Sequence, residues 1–327
     1  MLRIAFIALL LFGFLSEARS QGPQQTFWAL NNNGTFLLDQ IGSTGASVAY
    51  SVRKLRKGYT GYAMRVRQNR SGTDPQGDVA FDANNQVSGS SIVTITTAGG
   101  TYSVGDKVSF SSFYSGYSVY VVTWYDQSGN GRNVTQATTS QQPRIVNAGT
   151  LETSNSKASI RFINSSSTVL SATVASATMF GSGYIGTASL VIEASSGSTS
   201  SFGYSDGGTD RWQAHIDEGS YLYFDVGSSY NRLSYVNSAN VSVLRNYALV
   251  AGSSKMEIWV SGTKVASSTP AMSASTTGTF NVGGIPLFPG SWYHDAHQSE
   301  IIIFPLALST SEIGILENNQ KSFYSTP

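Results

Sequence analysis

The 327-residue chain has no cysteine. Disulfides and thiolate metal sites are therefore excluded, and a domain of this size buries enough surface to do without them. Charge is scarce too: Asp, Glu, Lys and Arg make up 12% of the residues and the net charge is +1. A nucleic-acid-binding protein needs a basic patch or stripe, so that partner class is set aside. Only three histidines occur, His215, His294 and His297. The spacing His294-Asp295-Ala296-His297 matches no strong metal-ligand template and reads as packing or solvation. There is no Gly-x-Ser-x-Gly elbow between a strand and a helix, and no Gly-rich phosphate loop. No apolar run approaches the roughly 20 residues that a membrane helix needs, so no membrane span is expected.

The first residues carry a different signal. Arg3 precedes an unbroken run of apolar residues and glycine from Ile4 to Leu15, and Ala18-Arg19-Ser20 offers small residues for cleavage. A secretory signal peptide over residues 1–20 is expected, then an extension over 21–44 and a single domain over 45–327. The protein is thus read as secreted and extracellular. Asn-x-Ser/Thr sequons at Asn33, Asn69, Asn133, Asn164 and Asn240 fit that compartment as glycosylation sites in a eukaryotic source.

In GASVAYSVRKLRKGY (residues 45–59), Val48, Val52, Leu55 and Tyr59 fall at helical spacing, which predicts a short N-terminal helix. Its RKLRK cluster reads as a solvated helix face, with a site for acidic polysaccharide as the sharper alternative. Short runs then alternate: AMRVRQ, SIVTITT, KVSFSSFY, YVVTWY, ASIRFI, ASLVIEAS, YLYFDV, YALVAGS, KMEIWVSG, TFNVGG and EIIIF. Separated by Gly, Ser, Asn and Asp clusters, they predict an all-β antiparallel sandwich. Near the end Pro305 stops a strand, and Ser309 with Glu312 forms a capping box that predicts a short C-terminal helix.

The strongest local motif is VVTWYDQSGNGRNVTQ (residues 121–136). Gly129 and Gly131 permit positive φ, and Asp126 can accept backbone N–H groups within such a turn. Asp126 is accordingly expected to organise a loop, not to catalyse.

The order AYSVRKL, YTGYAMRVR, TWYDQSGNGRNVTQ and QQPRIV resembles the N-terminal half of the catalytic domain of glycoside hydrolase family 54, the α-L-arabinofuranosidase B family. The later FNVGG, SWYHDAHQSEIIIFPLALSTSEI and ENNQKSFY resemble laminin-G-like and concanavalin A-like jelly rolls, the superfamily of that domain. Together these stretches cover most of residues 45–325. The resemblance implies a jelly-roll sandwich of two antiparallel sheets. It also implies a C-terminal β-trefoil that binds arabinose side chains; the chain ends where that module would begin, so this second sugar site is expected to be lacking.

A retaining glycosidase needs two carboxyl groups about 5–5.5 Å apart. The resemblance implies a nucleophilic Glu within DRWQAHI and an acid Asp after the Gly-Gly of VGGIPLF, positions that here hold Gln213 and Ile285. Where the family has an adjacent cysteine pair in its sugar pocket, TSSFGYSD offers Ser200 and Ser201. Neighbouring acids, Asp210, Asp217 and Glu218 on one side and Asp295 and Glu300 on the other, are the fallback candidates. Calcium at a loop rim would draw on Asp206, Asp210 and Asp295. Trp212, Tyr221, Tyr223, Trp292 and Tyr293 are candidates to stack on a sugar, with Gln213, Ser200, Ser201 and Asp210 as polar ligand-binding partners.

The first functional reading is a protein that binds a carbohydrate or extracellular glycan through a degenerate glycosidase site. An active α-L-arabinofuranosidase using the fallback acids is the second, and a structural component of an extracellular coat is the third.

Overall fold

The computed structural model describes residues 36–42, 45–195, 200–205, 210–227, 231–274, 278–286 and 292–327. Residues 1–20, expected to be a signal peptide, Asn33 and Asp206 lie outside them. In chain order the main strands are β1 (Val48–Ser51), β2 (Met64–Gln68), β3 (Val119–Trp124), β4 (Val134–Thr135), β5 (Leu170–Ala172) and β6 (Gly186–Ala194). They continue as β7 (Ser200–Ser205), β8 (Arg211–Glu218), β9 (Tyr221–Gly227), β10 (Asn231–Val236) and β11 (Arg245–Gly252). The last are β12 (Lys255–Val260), β13 (Thr263–Ser268), β14 (Phe280–Val282) and β15 (Ala296–Phe304).

One antiparallel sheet runs β2-β3-β4-β5-β14-β7-β8-β9-β10. The other runs β1-β15-β6-β11-β12-β13. Short strands at Ile160–Phe162 and Arg144–Asn147 link β15 to β3 along one side. This is the all-β antiparallel sandwich that the alternating runs imply, in the jelly-roll form that the resemblance implies.

The sandwich has two apolar layers. The larger, which includes Val66, Trp124, Phe202, Trp212, Phe224, Leu190, Leu249 and Ile301, is a single contiguous core. A second, with Ala49, Val250, Ile302, Phe304, Ile313 and Leu316, includes residues of the C-terminal helix Thr310–Tyr324. Each fully buried Val, Leu, Ile or Phe among them contributes about 1.5–3 kcal/mol. That helix starts as its sequence dictates: the Ser309 hydroxyl accepts the Glu312 N–H at 3.3 Å, and the Glu312 carboxylate accepts the Ser309 N–H at 2.9 Å. Leu37 and Ile41 are buried in the second layer, so the compact unit begins at Phe36, ahead of Gly45.

The helix expected over residues 45–59 does not form. Val48–Ser51 is a strand paired with Glu300–Ile303. Val48, Tyr50 and Val52 enter the main core while Ala49 and Leu55 enter the second, so burial on both faces hides the period of two and leaves helical spacing by coincidence. Nor is the RKLRK cluster a solvated face. Arg53 is buried and donates Nε to Glu300 Oε2 at 2.8 Å and Nη2 to Oε1 at 3.1 Å. KVSFSSFY is also only partly a strand: it stops at Ser109, which caps a helix over Phe110–Tyr114 by accepting the Ser112 N–H.

β1 pairs with β15 along one edge, and the Asp126 loop satisfies the other. The Ala49 N–H donates to Asp126 Oδ1 at 2.9 Å, Gln127 N–H donates to Ala49 O at 2.8 Å, and Gln127 Nε2 donates to Ser51 O at 3.2 Å. Asp126 also accepts Ser128 N–H (2.9 Å), Ser128 Oγ–H (2.7 Å) and Arg132 N–H (3.0 Å). Gly129 and Gly131, at φ 97° and 69°, let the chain turn back for these contacts. The loop thus closes an exposed strand edge with side chains. Asp126→Asn turns an acceptor toward Arg132 and Ser128 into a donor, and should lower stability by about 2 kcal/mol. Guanidinium unfolding reads this directly; an unchanged midpoint would mean that the loop does not support β1.

Candidate functional site

Alternation along β8 sends Trp212, Ala214 and Ile216 into the core and Arg211, Gln213 and His215 to the other face. Across from Gln213 on β9 stands Asp225, and across from Asp225 on β10 stands Arg232. The polar cluster is therefore a product of register.

Asp225 is its centre. Arg232 grips it with Nε at 2.7 Å and Nη2 at 2.8 Å, Gln213 Nε2 donates at 3.1 Å, and Arg211 Nη1 lies at 3.4 Å. The planar guanidinium of Arg232 matches the carboxylate bidentately. Arg232 also lies over the Tyr223 ring at 4.3 Å, and Tyr223 stacks on Tyr221 at 5.7 Å. Trp292, half-buried, sits edge-on to His215 at 5.0 Å and within 5.8 Å of the Arg211 guanidinium, forming a roof.

Burial pushes the His215 pKa down to about 4, with the Asp225 charge opposing. The ring is neutral at physiological pH. Its Nε2 faces the Gln213 amide nitrogen at 2.9 Å and accepts from it, which leaves the proton on Nδ1, 3.6 Å from Glu218. Burial also raises the Glu218 carboxyl, partly offset by Arg232. Gln213 Oε1 is buried without a hydrogen-bond partner. It is an acceptor with capacity for a ligand hydroxyl or a water.

The other sequence candidates scatter. Trp212 is no sugar platform: it is fully buried, stacked on Phe180 at 4.1 Å, with its N–H donated to Tyr184 O. Ile285 is fully buried and paired with Trp292, and Tyr293 is also buried. Asp295 pairs with Arg161 at 2.5 Å, and Glu300 is spent on Arg53. Asp210 and Asp217 are buried, the latter close enough to act electrostatically on Tyr247. Ser201 Oγ approaches His294 Nε2 at 3.5 Å; the Ser200 backbone lies in β7. Of the fallback acids, Glu218 contacts the cluster through His215. Among the described residues, no group of three His, Cys, Asp or Glu is placed to hold a metal ion.

Asn69 and Asn164 present exposed side chains, whereas Asn240 is buried and donates its amide to Asn237 Oδ1 at 2.8 Å. That nitrogen cannot carry a glycan in the folded protein. Sequence reasoning missed Asp225, Arg211 and Arg232. Asp225 was visible only as a polar interruption of the run YLYFDV, and its partners depend on strand register.

The sequence matches no family model and no curated protein. Solved structures do resemble it. A GH54 α-L-arabinofuranosidase soaked with a cyclic sulfate inhibitor aligns with a TM-score of 0.56 and 14% identity, over 87% of this chain and 64% of its own. An arabinofuranosidase complexed with arabinofuranosyl-α-1,2-xylobiose gives 0.54 and 14% over the same shares. The chain thus has the fold of the family 54 catalytic domain and spans 64% of the length of these structures.

Proposed function

We propose that this protein is a secreted, glycan-binding β-sandwich whose glycosidase site has lost its chemistry. One observation carries the reading: an amide, Gln213, stands on β8 where the family resemblance implies the nucleophile, and its nitrogen is committed to Asp225 and His215. An amide cannot form or release a glycosyl-enzyme intermediate. Buried Ile285, at the position implied for the acid, cannot protonate a leaving oxygen. What persists is suited to recognition: a tyrosine pair, a half-buried tryptophan, two arginines and an orphaned amide oxygen on one sheet face. The signal-like segment Ile4–Leu15 and the exposed sequons Asn69 and Asn164 support an extracellular, glycosylated protein.

An enzyme reading built on the acids nearest Gln213 would join Asp225, which the sequence did not single out, to the fallback acid Glu218. They lie at opposite nitrogens of His215, 4.0 and 3.6 Å away, so the imidazole fills the space between them. Asp225 is also neutralised by two arginines and is not free to meet an anomeric carbon.

The test is hydrolysis of a chromogenic α-L-arabinofuranoside by mature protein from Gln21 onward, beside Gln213→Glu/Ile285→Asp, together with retention of both on immobilised arabinoxylan. Loss of a nucleophile costs on the order of 10⁴-fold or more, so the native protein should be silent yet retained. Activity gained only by the double variant would support a retired pocket, while turnover by the native protein would overturn the proposal.

A further inference from the structure

Register assembles a row of cationic side chains on strands that the Gln213 cluster does not use. Arg67 on β2 stands opposite Tyr120 on β3, Tyr120 opposite Arg144, Arg144 opposite Arg161, and Arg161 opposite His297 on β15. Opposed residues of antiparallel strands point to one face. Their chain neighbours Val66, Val121, Ile145, Ile160 and Ala296 are buried in the main core, so the row is the outer face. Tyr120, Arg144, Arg161 and His297 are each partly exposed, and Arg67 alone in the row is buried.

One end of this row floors a cleft of about 400 Å³, lined among others by Arg67, Tyr120, Thr139, Gln142, Arg144 and Ser166. That volume lies within the range of small-ligand sites. Strand spacing sets Arg67 and Arg144 roughly 10 Å apart, with the Tyr120 ring between them. Arg67 is fixed by its neighbours: Nε donates to Gln142 Oε1 at 2.8 Å, Nη1 pairs with Asp74 and reaches Asn69 Oδ1 at 3.3 Å, and the guanidinium lies 5.1 Å from the centre of the Tyr120 ring. Arg144 spends Nε (2.7 Å) and Nη2 (2.6 Å) on one oxygen of Glu152, which leaves Nη1 without a partner among the described residues. Arg161 pairs through Nη2 with Asp295, and its Nη1 is buried without a hydrogen-bond partner. The Tyr120 hydroxyl has no partner among the described residues either. The spare capacity of the cleft floor and its neighbour is thus all in donors, two guanidinium nitrogens on adjacent strands and one phenol. Charge is balanced, three arginines against Asp74, Glu152 and Asp295, so these donors select by geometry and not by bulk potential. Exposed hydroxyls of Thr139 and Ser166 line the cleft beside them.

We infer that this cleft is a subsite for a uronic acid unit of a polysaccharide, its carboxylate taken by Arg144 with the Tyr120 hydroxyl and its ring lying on Tyr120. A planar guanidinium is matched to a carboxylate, and an aromatic ring to the apolar face of a sugar. The inference rests on the glycan-binding reading and adds to it an acidic unit recognised apart from the Gln213 cluster.

Two titrations of unglycosylated native protein decide it: one with a xylo-oligosaccharide that carries a single glucuronate, the other with the same oligosaccharide after its carboxyl has been reduced to the alcohol. The acid form should bind about tenfold more tightly. Arg144→Lys keeps a charge beside Glu152 but loses the fork, and should remove most of that preference. Tyr120→Val keeps the strand and removes the ring, and should weaken both forms alike. Thermal unfolding checks the fold of each variant, and the native pair of titrations stands without them. Equal affinity for the two forms, or a preference that Arg144→Lys leaves intact, would overturn the acidic subsite while retention on arabinoxylan still upheld the glycan-binding reading. Acetate competing as well as free glucuronate would overturn the saccharide assignment. Failure of the native protein to bind either oligosaccharide or arabinoxylan would overturn both.

Discussion

Glu300→Ala is expected to destabilise the protein by about 3–5 kcal/mol, because it leaves the Arg53 guanidinium buried without a counter-charge. Burial alone would raise the Glu300 pKa, yet Arg53, with Gln320 and Ser51, holds the carboxyl below its ordinary value. Gln320 Nε2 donates at 3.0 Å and Ser51 Oγ at 2.7 Å, and the Tyr324 hydroxyl also donates at 3.1 Å. The network joins β1, β15 and the C-terminal helix, with Arg53 Nη1 reaching Asn319 Oδ1 at 2.7 Å. Replacing both charges, as in Arg53→Met/Glu300→Leu, should cost less than either single change, since no unpaired charge is then buried. Guanidinium unfolding of the three variants checks this. Additive losses would mean that the pair is not coupled.

A second carboxyl should act in the opposite direction. Glu317, on the C-terminal helix, is 2% exposed and has no full hydrogen bond to either oxygen. Burial pushes its pKa up to about 8, with the approaching Gly262 N–H opposing. The unfolded value is about 4.3. Below that value the group is protonated in both states and pH is without effect. Between the two values only the unfolded chain ionises, so stability falls by about 1.4 kcal/mol per pH unit and levels off above the folded pKa. Glu317→Gln should therefore match the native protein near pH 4 and exceed it by roughly 3 kcal/mol near pH 7. Denaturation midpoints at the two pH values decide it. A constant difference between the proteins would show that Glu317 is already ionised in the fold.

The architecture was legible where period and turn chemistry agree. EIIIF, YALVAGS and KMEIWVSG have the β-branched and aromatic content of buried strands, and Ser309 with Glu312 announces a helix start. Residues 45–59 misled because β1 is covered on both faces, which erases the alternation that identifies a strand. The site was legible only in part. Gln213 and Ile285 stand out once the family resemblance supplies their positions, but Asp225 and Arg232 become site residues only through the pairing of β8 with β9 and β9 with β10. Trp212 shows the same limit from the other side: composition suggests a sugar platform, and one step of strand parity sends the ring into the core.

The pairing of β1 with β15 sets the order in which the molecule can be built. Ser51 and Glu300 bond to each other although 249 residues separate them. During synthesis β1 leaves the ribosome early and must wait for almost the whole domain before its partner appears. Contacts of such long range are slow to form, and until they form the edges of the nascent sheet stay open to other chains. The Asp126 loop, which arrives far sooner, can protect one side of the waiting strand. In the folded molecule the same strand is then held on one side by that loop and on the other by β15.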